Sequence, residues 1–179
     1  MDIRNTTEAD EPALRRLHEV AFGLPEGPTV AELALALLHD PTAVPKLSLG
    51  AYEGPAPLGH VLFTSVRISG FENAARARIL APLAVHPDRQ RTGVGDRLVR
   101  QGLSLLAESG CELVFVLGHP GYYGRFGFQP AGPFGFLAPY PIPEVNASAW
   151  MVLELAPGLL GRVRGPIQCA KSLEKPEHW

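Results

Sequence analysis

The feature that most restricts the fold of this chain is a strand, a short glycine-containing loop, a helix and a second strand in direct succession. Arg78–Val85 is an apolar run rich in Ile and Leu, and Gly93–Ser109 has its apolar residues at helical spacing. Glu112–Leu117 is a second apolar run without polar alternation, which is typical of a strand buried on both faces. This order predicts a βαβ unit with both strands in one sheet.

Further strands and helices are predicted on both sides of this unit. In chain order they are a strand Asp2–Thr6, a helix from Thr7 to Gly23, a helix from Thr29 to Pro41, hairpin strands Leu47–Glu53 and Leu58–Ser69, and a strand Ala149–Leu155. The pattern after Pro157 predicts no definite element. We therefore expect an α/β fold with a mixed sheet (α+β), one domain over residues 1–156, and a tail, residues 157–179, that packs on the same domain.

The composition argues against several classes of protein. Its 46% hydrophobic and 19% charged residues are the balance of a globular domain, and a net charge of −2 gives no basic field for nucleic acid. Two cysteines form no disulfide framework, and the scattered histidines match no metal-ligand spacing, so we expect no metal. The longest uncharged stretch, Phe126–Pro143, holds five prolines and cannot form a membrane helix. We expect a cytoplasmic protein without membrane or nucleic-acid partners.

The loop that joins the first strand of the βαβ unit to its helix has the properties of an anion site. Gly93 and Gly95 permit a ligand to approach the backbone closely, and the free N–H groups of a first helical turn suit a pyrophosphate. Arg89 and Arg91 add positive charge. The Gly-Lys-Ser/Thr of a P-loop and the third glycine of a dinucleotide fingerprint are both missing. On the glycines alone, an ordinary βα turn explains the pattern equally well.

Two segments resemble the GNAT superfamily of N-acetyltransferases. Gln90-x-x-Gly93-x-Gly95, preceded by Leu83-Ala84-Val85-x-Pro87, resembles the acyl-CoA-binding signature of that family. Tyr122-Tyr123-Gly124-Arg125-Phe126-Gly127-Phe128 resembles the segment after its fifth strand, in the form found in a bacterial subgroup of predicted acetyltransferases. The resemblance covers Ile3 to about Leu155. It implies a twisted mixed sheet flanked by helices, with acetyl-CoA entering where the two strands of the βαβ unit splay apart.

The resemblance also implies which residues contact acetyl-CoA. The backbone of Leu83, Ala84 and Val85 would pair with the pantetheine arm in the manner of an added strand. The pyrophosphate would lie among the residues of the helix start, which are Arg91, Thr92, Gly93, Val94, Gly95 and Asp96, and Gln90 of the signature would also bind the cofactor. Asp96 departs from the small or basic residue usual there, and we expect its side chain to point away from phosphate.

Forming an amide from an amine and a thioester requires a neutral amine, a stabilised oxyanion and a protonated thiolate. By the resemblance, Tyr123 would protonate the CoA thiolate, with simple packing as the alternative role. A backbone N–H at a bulge near Leu83 is the candidate for the oxyanion. His119 is the first candidate for the general base because imidazole titrates near neutral pH, ahead of Glu72 and His86. For each of these three, a solvated or capping role is an alternative, and a chain of waters is another route for the proton.

The sequence thus predicts an N-acetyltransferase that moves the acetyl group of acetyl-CoA to a primary amine by direct transfer in a ternary complex. The alternative is a CoA-binding regulatory module of the same fold that has lost catalysis. The acceptor would be a small amine or a protein N-terminus or lysine, and a homodimer is compatible with this function. The expected acceptor walls are Phe22–Asp40, by resemblance, and Pro130–Pro143, which would equally cover a sheet edge. Cys111 and Cys169 are expected to be structural.

Overall fold

The computed structural model describes all 179 residues as a mixed sheet with helices on both faces. The helices are α1 (Glu11–Phe22), α2 (Glu26–His39), α3 (Val94–Glu108) and the single turn α4 (Pro120–Tyr123). The strands are β1 (Asp2–Asn5), β2 (Leu47–Tyr52), β3 (Pro57–Ile68), β4 (Ala77–Val85), β5 (Leu113–Leu117), β6 (Gln129–Pro130), β7 (Phe136–Leu137), β8 (Trp150–Glu154) and β9 (Gly165–Gln168). None of the helices has the length and apolar character needed to cross a membrane.

The main sheet has the order β1-β2-β3-β4-β5-β8-β6. Its neighbouring strands are antiparallel except for β4 and β5, which are parallel and are joined by α3. The βαβ unit predicted from the sequence is therefore confirmed, and it lies at the centre of the sheet.

The two central strands pair only over the first half of β4. Ala77–Leu80 pair with Leu113–Val116, and no residue of β5 pairs with the rest of β4. On its other side, β4 pairs with β3, where Val61 lies opposite Leu83 and Phe63 opposite Leu80. One residue of β3 therefore faces two residues of β4, Ala81 and Pro82, and these two form a bulge. Proline has no N–H to give to a ladder, which favours a bulge at this position. Beyond the bulge, β4 leaves an open cleft beside β5.

Each face of the sheet is covered by its own hydrophobic core. Because successive strand residues point to opposite faces, Leu62 packs on the α2 side, with Leu33 of that helix, while Val61 packs on the α3 side, with Leu98. The splayed ends of β4 and β5 consequently lie between two packed layers, which hold the cleft open on a rigid frame.

Two differences from the sequence-based element assignment bear on the site. Helix α2 begins at Glu26 rather than near Thr29. Gly27 and Pro28 interrupt the apolar pattern, which is why the sequence indicated a later start, but both residues fit a first helical turn. Gly27 packs where α1 and α2 approach closely, and a Cβ there would lie 2.3 Å from the carbonyl oxygen of Glu19. The segment after Pro157 contains β9, which pairs with the end of β3 and with β7.

Candidate active site

The edge of β4 beyond the bulge presents backbone groups to the cleft. The N–H of His86 donates to the carbonyl of Leu58 at 2.8 Å. Because hydrogen-bonded and non-bonded pairs alternate along an antiparallel ladder, the N–H and C=O groups of Leu83 and Val85 point away from β3. The side-chain amide of Gln90 donates to the Val85 carbonyl at 3.2 Å. The backbone groups of Leu83 are thus placed to pair with an extended ligand.

The start of α3 has the open backbone of an anion site. Gly93 adopts φ 90°, a left-handed conformation that favours glycine, and no atom lies within 4 Å of the position its Cβ would occupy. Arg91 is the one non-glycine residue with positive φ, at 60°. The N–H of Arg97 bonds to the carbonyl of Gly93 at 3.0 Å, so the N–H groups of the three preceding helical residues have no helical partner.

A tyrosine hydroxyl occupies the space beside Gly95. A Cβ on Gly95 would lie 2.6 Å from Oη of Tyr122, closer than real Cβ atoms come to a neighbour. The guanidinium of Arg125 stacks 4.1 Å from the centre of the Tyr122 ring. Asp96 accepts a hydrogen bond from Arg100 at 2.9 Å and lies 3.9 Å from Arg125. These ion pairs offset the charge of Asp96 in the first turn of α3.

These elements enclose a cavity of about 900 Å³, which we call the arginine-lined cavity. Its lining residues are Leu83, Val85, Gln90, Arg91, Gly93, Gly95, Asp96, Arg97, His119, Tyr122, Tyr123 and Arg125. Three arginines against one aspartate give this lining a net charge of +2 with histidine neutral. Such a lining, with free N–H groups at its base, suits a polyanion.

Of the ten residues expected to contact acetyl-CoA, together with Tyr123 and His119, nine line this cavity and three do not. Ala84 and Val94 are buried beneath it, and Thr92 bonds through its hydroxyl to the carbonyl of Arg89 at 2.6 Å. Sequence reasoning missed Arg97 and Arg125 as cavity residues. The first lies one helical turn after Gly93, and the second is inside the segment that carried the family resemblance, so their positions were a usable signal.

A second cavity of about 700 Å³, the glutamate-lined cavity, lies on the α2 side of the same cleft. Its lining residues are Phe22, Pro25, Glu26, Thr29, Val30, Leu33, Leu80, Ala81, Pro82, Leu83, Leu117, Tyr123, Glu177 and His178. Two carboxylates and no lysine or arginine give it a net charge of −2 with histidine neutral. Leu83 and Tyr123 line both cavities, so the cavities of opposite charge meet at these two residues.

Tyr123 is nine-tenths buried at this meeting point. Its ring packs edge-on against Tyr122 at 5.0 Å and against Phe128 at 5.7 Å between ring centres. Burial raises the pKa of the Tyr123 phenol well above its usual value, with the nearby Tyr122 adding to the effect. The phenol therefore remains protonated throughout the working pH range and can act as a proton donor.

His119 lines the arginine-lined cavity and caps α4. Its Nδ1 accepts a hydrogen bond from the N–H of Gly121 at 3.3 Å, and its carbonyl accepts those of Tyr122 and Tyr123 at 3.0 Å each. Since Nδ1 acts as an acceptor, the neutral ring carries its proton on Nε2. His119 in this form offers a donor to the cavity and holds the turn that carries both tyrosines.

The other candidate bases lie outside both cavities. Glu72 accepts the N–H of Gly70 in the turn before β4, and His86 accepts the N–H of Asp88 at 3.3 Å. Their capping roles are the ones the structure shows. Arg89, expected beside the phosphate site, instead forms an ion pair with Glu53 at 2.7 Å in the β2–β3 turn, and it is absent from the cavity lining.

The aromatic stretch Pro130–Pro143 does not line the glutamate-lined cavity. Phe136 is buried in the core against Phe115, with ring centres 5.0 Å apart, because β7 pairs with β9 and covers the sheet. Residues of the region Phe22–Asp40, from the α1–α2 connection and α2, do line the cavity.

Neither cysteine lies in either cavity. Cys111 and Cys169 are free thiols, and burial raises the pKa of both. A thiol that stays protonated and lies away from the cleft is a poor nucleophile. This is compatible with the structural roles expected for both cysteines. No group of three or more His, Cys, Asp or Glu side chains is arranged to hold a metal ion.

Comparison with known proteins gives a consistent result. A family model described as an acetyltransferase (GNAT) domain matches residues 2–131. The chain is 45% identical over 167 residues to the uncharacterized N-acetyltransferase YjhQ of Escherichia coli K12, covering 92% of this chain and 90% of YjhQ.

Two solved structures share the fold along nearly the whole chain. The GNAT family N-acetyltransferase YhbS of Escherichia coli in complex with CoA superposes with a TM-score of 0.86 at 29% identity, covering 98% of this chain and 92% of YhbS. A GNAT family acetyltransferase of Brucella melitensis in complex with acetyl-CoA gives a TM-score of 0.75 at 29% identity, covering 96% and 97% of the two chains. The sheet with helices on both faces is therefore the fold of proteins that bind CoA or acetyl-CoA.

Proposed function

Because the chain belongs to the GNAT family of acetyltransferases, we propose that it transfers the acetyl group of acetyl-CoA to a primary amine by direct transfer in a ternary complex. The observation that carries the proposal is the meeting of two oppositely charged cavities at Leu83 and Tyr123. Acetyl-CoA is a polyanion and a primary amine is a cation at neutral pH. Each reactant thus has a cavity of complementary charge, and the two cavities open on the same pair of residues.

The arginine-lined cavity would hold acetyl-CoA, and its residues fit that ligand. The free N–H groups at the start of α3, the open space at Gly93 and the charges of Arg91 and Arg97 suit the pyrophosphate. The backbone groups of Leu83, which point away from β3, suit the amide groups of the pantetheine arm. Acetyl-CoA, when bound, supplies an activated acetyl thioester.

The residues at the meeting point have roles that follow from their chemistry. The N–H of Leu83 lies next to the bulge and points away from β3, and it would donate to the thioester carbonyl oxygen as negative charge develops there. Tyr123 holds a proton that it can give to the CoA sulfur as the thiolate departs. His119 positions Tyr123 through the backbone of α4 and adds a polar group to the donor side. We also propose a cytoplasmic location, because both cysteines are free thiols.

The direct test is acetyl-CoA binding followed by turnover. A ligand at 100 times its Kd stabilises the folded state by about 2.7 kcal/mol, which corresponds to roughly 5–10 °C in Tm for a chain of this length. We expect such a shift with acetyl-CoA, and release of free thiol when a primary amine is added from a panel of amino acids, polyamines and aminoglycosides. An unchanged Tm at millimolar acetyl-CoA would contradict donor binding. Binding without turnover on any amine would instead indicate a CoA-binding regulatory module.

A further inference from the structure

The segment Ala170–Trp179 forms the wall of the glutamate-lined cavity opposite the family signature. It is fixed to α2 through Asp40, whose carboxylate accepts the N–H and the hydroxyl of Ser172 at 2.8 Å each. The same carboxylate accepts the N–H of Thr42 at 2.7 Å and the Thr42 hydroxyl. Burial alone would raise the pKa of Asp40, but these four hydrogen bonds together outweigh it and lower the pKa to about 2. The segment is therefore held against α2, the other wall of the cavity, at any ordinary pH.

Aromatic packing then fixes the last turn of this segment. The indole of Trp179 packs edge-on against Trp150 with ring centres 5.7 Å apart, and its Nε1 donates to the carbonyl of Leu173 at 3.0 Å. Leu173 is itself part of the core. His178 precedes this anchored tryptophan, so its position on the cavity wall is determined by core packing.

His178 is the one histidine of the glutamate-lined cavity, where Tyr123 also lies. It is partly buried, and within the protein it has neither an ion pair nor a side-chain hydrogen bond that would commit its ring. The charged groups around it are Glu177 and Lys175 on its own segment and Glu26 on α2. Burial lowers the pKa of His178 below its usual value, and Lys175 lowers it further while Glu177 raises it. The ring is therefore neutral at neutral pH and can accept a proton.

Building on the proposed acetyl transfer, we infer that His178 is the general base that takes a proton from the acceptor amine in the glutamate-lined cavity. Glu26 and Glu177 are exposed at the mouth of this cavity, where their charge attracts a cationic amine and remains solvated. Tyr123, on the inner side, serves the departing thiolate. The proton acceptor, His178, thus lies on the wall of the glutamate-lined cavity. The proton donor, Tyr123, lies where this cavity meets the arginine-lined cavity.

The proton balance fits these two groups. An ammonium R–NH₃⁺ loses two protons in becoming the amide R–NH–C(O)CH₃. His178 accepts the first, which frees the nitrogen lone pair to form the C–N bond, and later releases this proton to solvent. The C–S bond breaks with its electron pair on sulfur, which takes the proton of Tyr123. The second proton of the nitrogen then restores the Tyr123 phenol, so both side chains return to their starting states.

The test compares His178→Gln and His178→Ala with the wild-type protein, using spermidine, lysine and kanamycin as acceptors. We expect kcat/KM for the accepted amine to fall roughly 10²–10⁴-fold, with acetyl-CoA affinity and Tm unchanged. The acid limb of the wild-type pH profile, with its midpoint below 6.5, should disappear in His178→Gln, and added imidazole should partly restore His178→Ala. His39→Gln is the matched control, since His39 lies at the far end of α2, where its exposed ring contacts Glu11 at 2.9 Å.

The outcomes separate this inference from the proposed function. Wild-type turnover with equal rates for the His178 variants, or an unchanged acid limb, would remove His178 from proton transfer while leaving the acetyltransferase assignment intact. Binding of acetyl-CoA by the wild-type protein without turnover on any of the three amines would overturn both. A loss of rate accompanied by a loss of acetyl-CoA affinity would show that the substitutions disturb the cleft, which also contradicts a role confined to the base.

Discussion

The contact between Gly95 and Tyr122 gives a prediction whose size follows from the geometry. In Gly95→Ala the new Cβ would lie 2.6 Å from the tyrosine Oη and 3.4 Å from Cγ2 of Val85. The hydroxyl cannot move freely, because the Tyr122 ring packs against Tyr123 on one side and under Arg125 on another. Overpacking of this kind costs about 1–3 kcal/mol. Replacing glycine by alanine in a helix offsets up to about 1 kcal/mol of that.

Tyr122→Phe removes the atom responsible. The next atom of the ring, Cζ, lies 3.8 Å from the alanine Cβ, which is an ordinary contact. We therefore expect Gly95→Ala to lower the free energy of unfolding in the wild-type background and to leave it unchanged or raise it in the Tyr122→Phe background. The two substitutions should couple by about 1–3 kcal/mol, which is a large value for a single contact.

Urea unfolding of the four proteins of this cycle measures the coupling without any assumption about function. Additivity within about 0.5 kcal/mol would show that the hydroxyl does not occupy this space. Acetyl-CoA affinity provides a second readout. Because the Cβ of residue 95 points to Tyr122 and Val85, we expect affinity lost in Gly95→Ala to return in the double variant. Affinity that stays low would support the sequence-based view that the Cβ itself blocks the phosphates.

Three further changes have clear expected results. Tyr123→Phe should lower kcat and kcat/KM together by roughly 10²–10⁴-fold in the thiol-release assay, while acetyl-CoA affinity stays the same. The control Tyr122→Phe should change these rates little, and equal rates for the two variants would exclude Tyr123 as the acid. Gly93→Ala should lower the free energy of unfolding by about 1–2 kcal/mol, because a residue with a side chain must then adopt φ 90°. Calorimetry should show weaker acetyl-CoA binding by this variant, and normal binding would place the pyrophosphate elsewhere. Asp40→Asn should destabilise by roughly 2–4 kcal/mol, because the amide group cannot accept from both Thr42 and Ser172. Since the folded pKa of Asp40 is lowered to about 2, its contribution is complete above pH 4 and is lost as the pH falls toward 2, so urea unfolding of wild type and Asp40→Asn should converge at acid pH.

The sequence predicted the frame of the site because its signals are local. The apolar runs of β4 and β5, the helical stripe of α3 and the glycines between them are all visible within a short window, and they define the cleft. The bulge in β4 depends on pairing with β3, yet Pro82 marks it in the sequence. Tyr123 was found because its segment carries a family pattern.

What the sequence did not predict depends on contacts between distant segments. The position of His178 on the cavity wall requires Asp40 to hold Ser172, residues more than a hundred positions apart, and no periodicity marks such a clamp. The pairing of Arg89 with Glu53 is equally non-local, so charge counted along the loop placed Arg89 at the phosphate site and did not include Arg97 and Arg125, which line it. The stretch Pro130–Pro143 resembles a ligand wall in composition, but the pairing of β7 with β9 places one of its aromatic residues, Phe136, in the core.

The most direct test of the central claim is an experimental structure of the protein with acetyl-CoA. The account predicts the pyrophosphate against the first turn of α3 and the pantetheine arm along Leu83 and Val85. It also places the thioester carbonyl within hydrogen-bond distance of the Leu83 N–H, and the sulfur beside the Tyr123 hydroxyl. A thioester bound away from the junction of the two cavities, or phosphates held by another surface, would contradict the account.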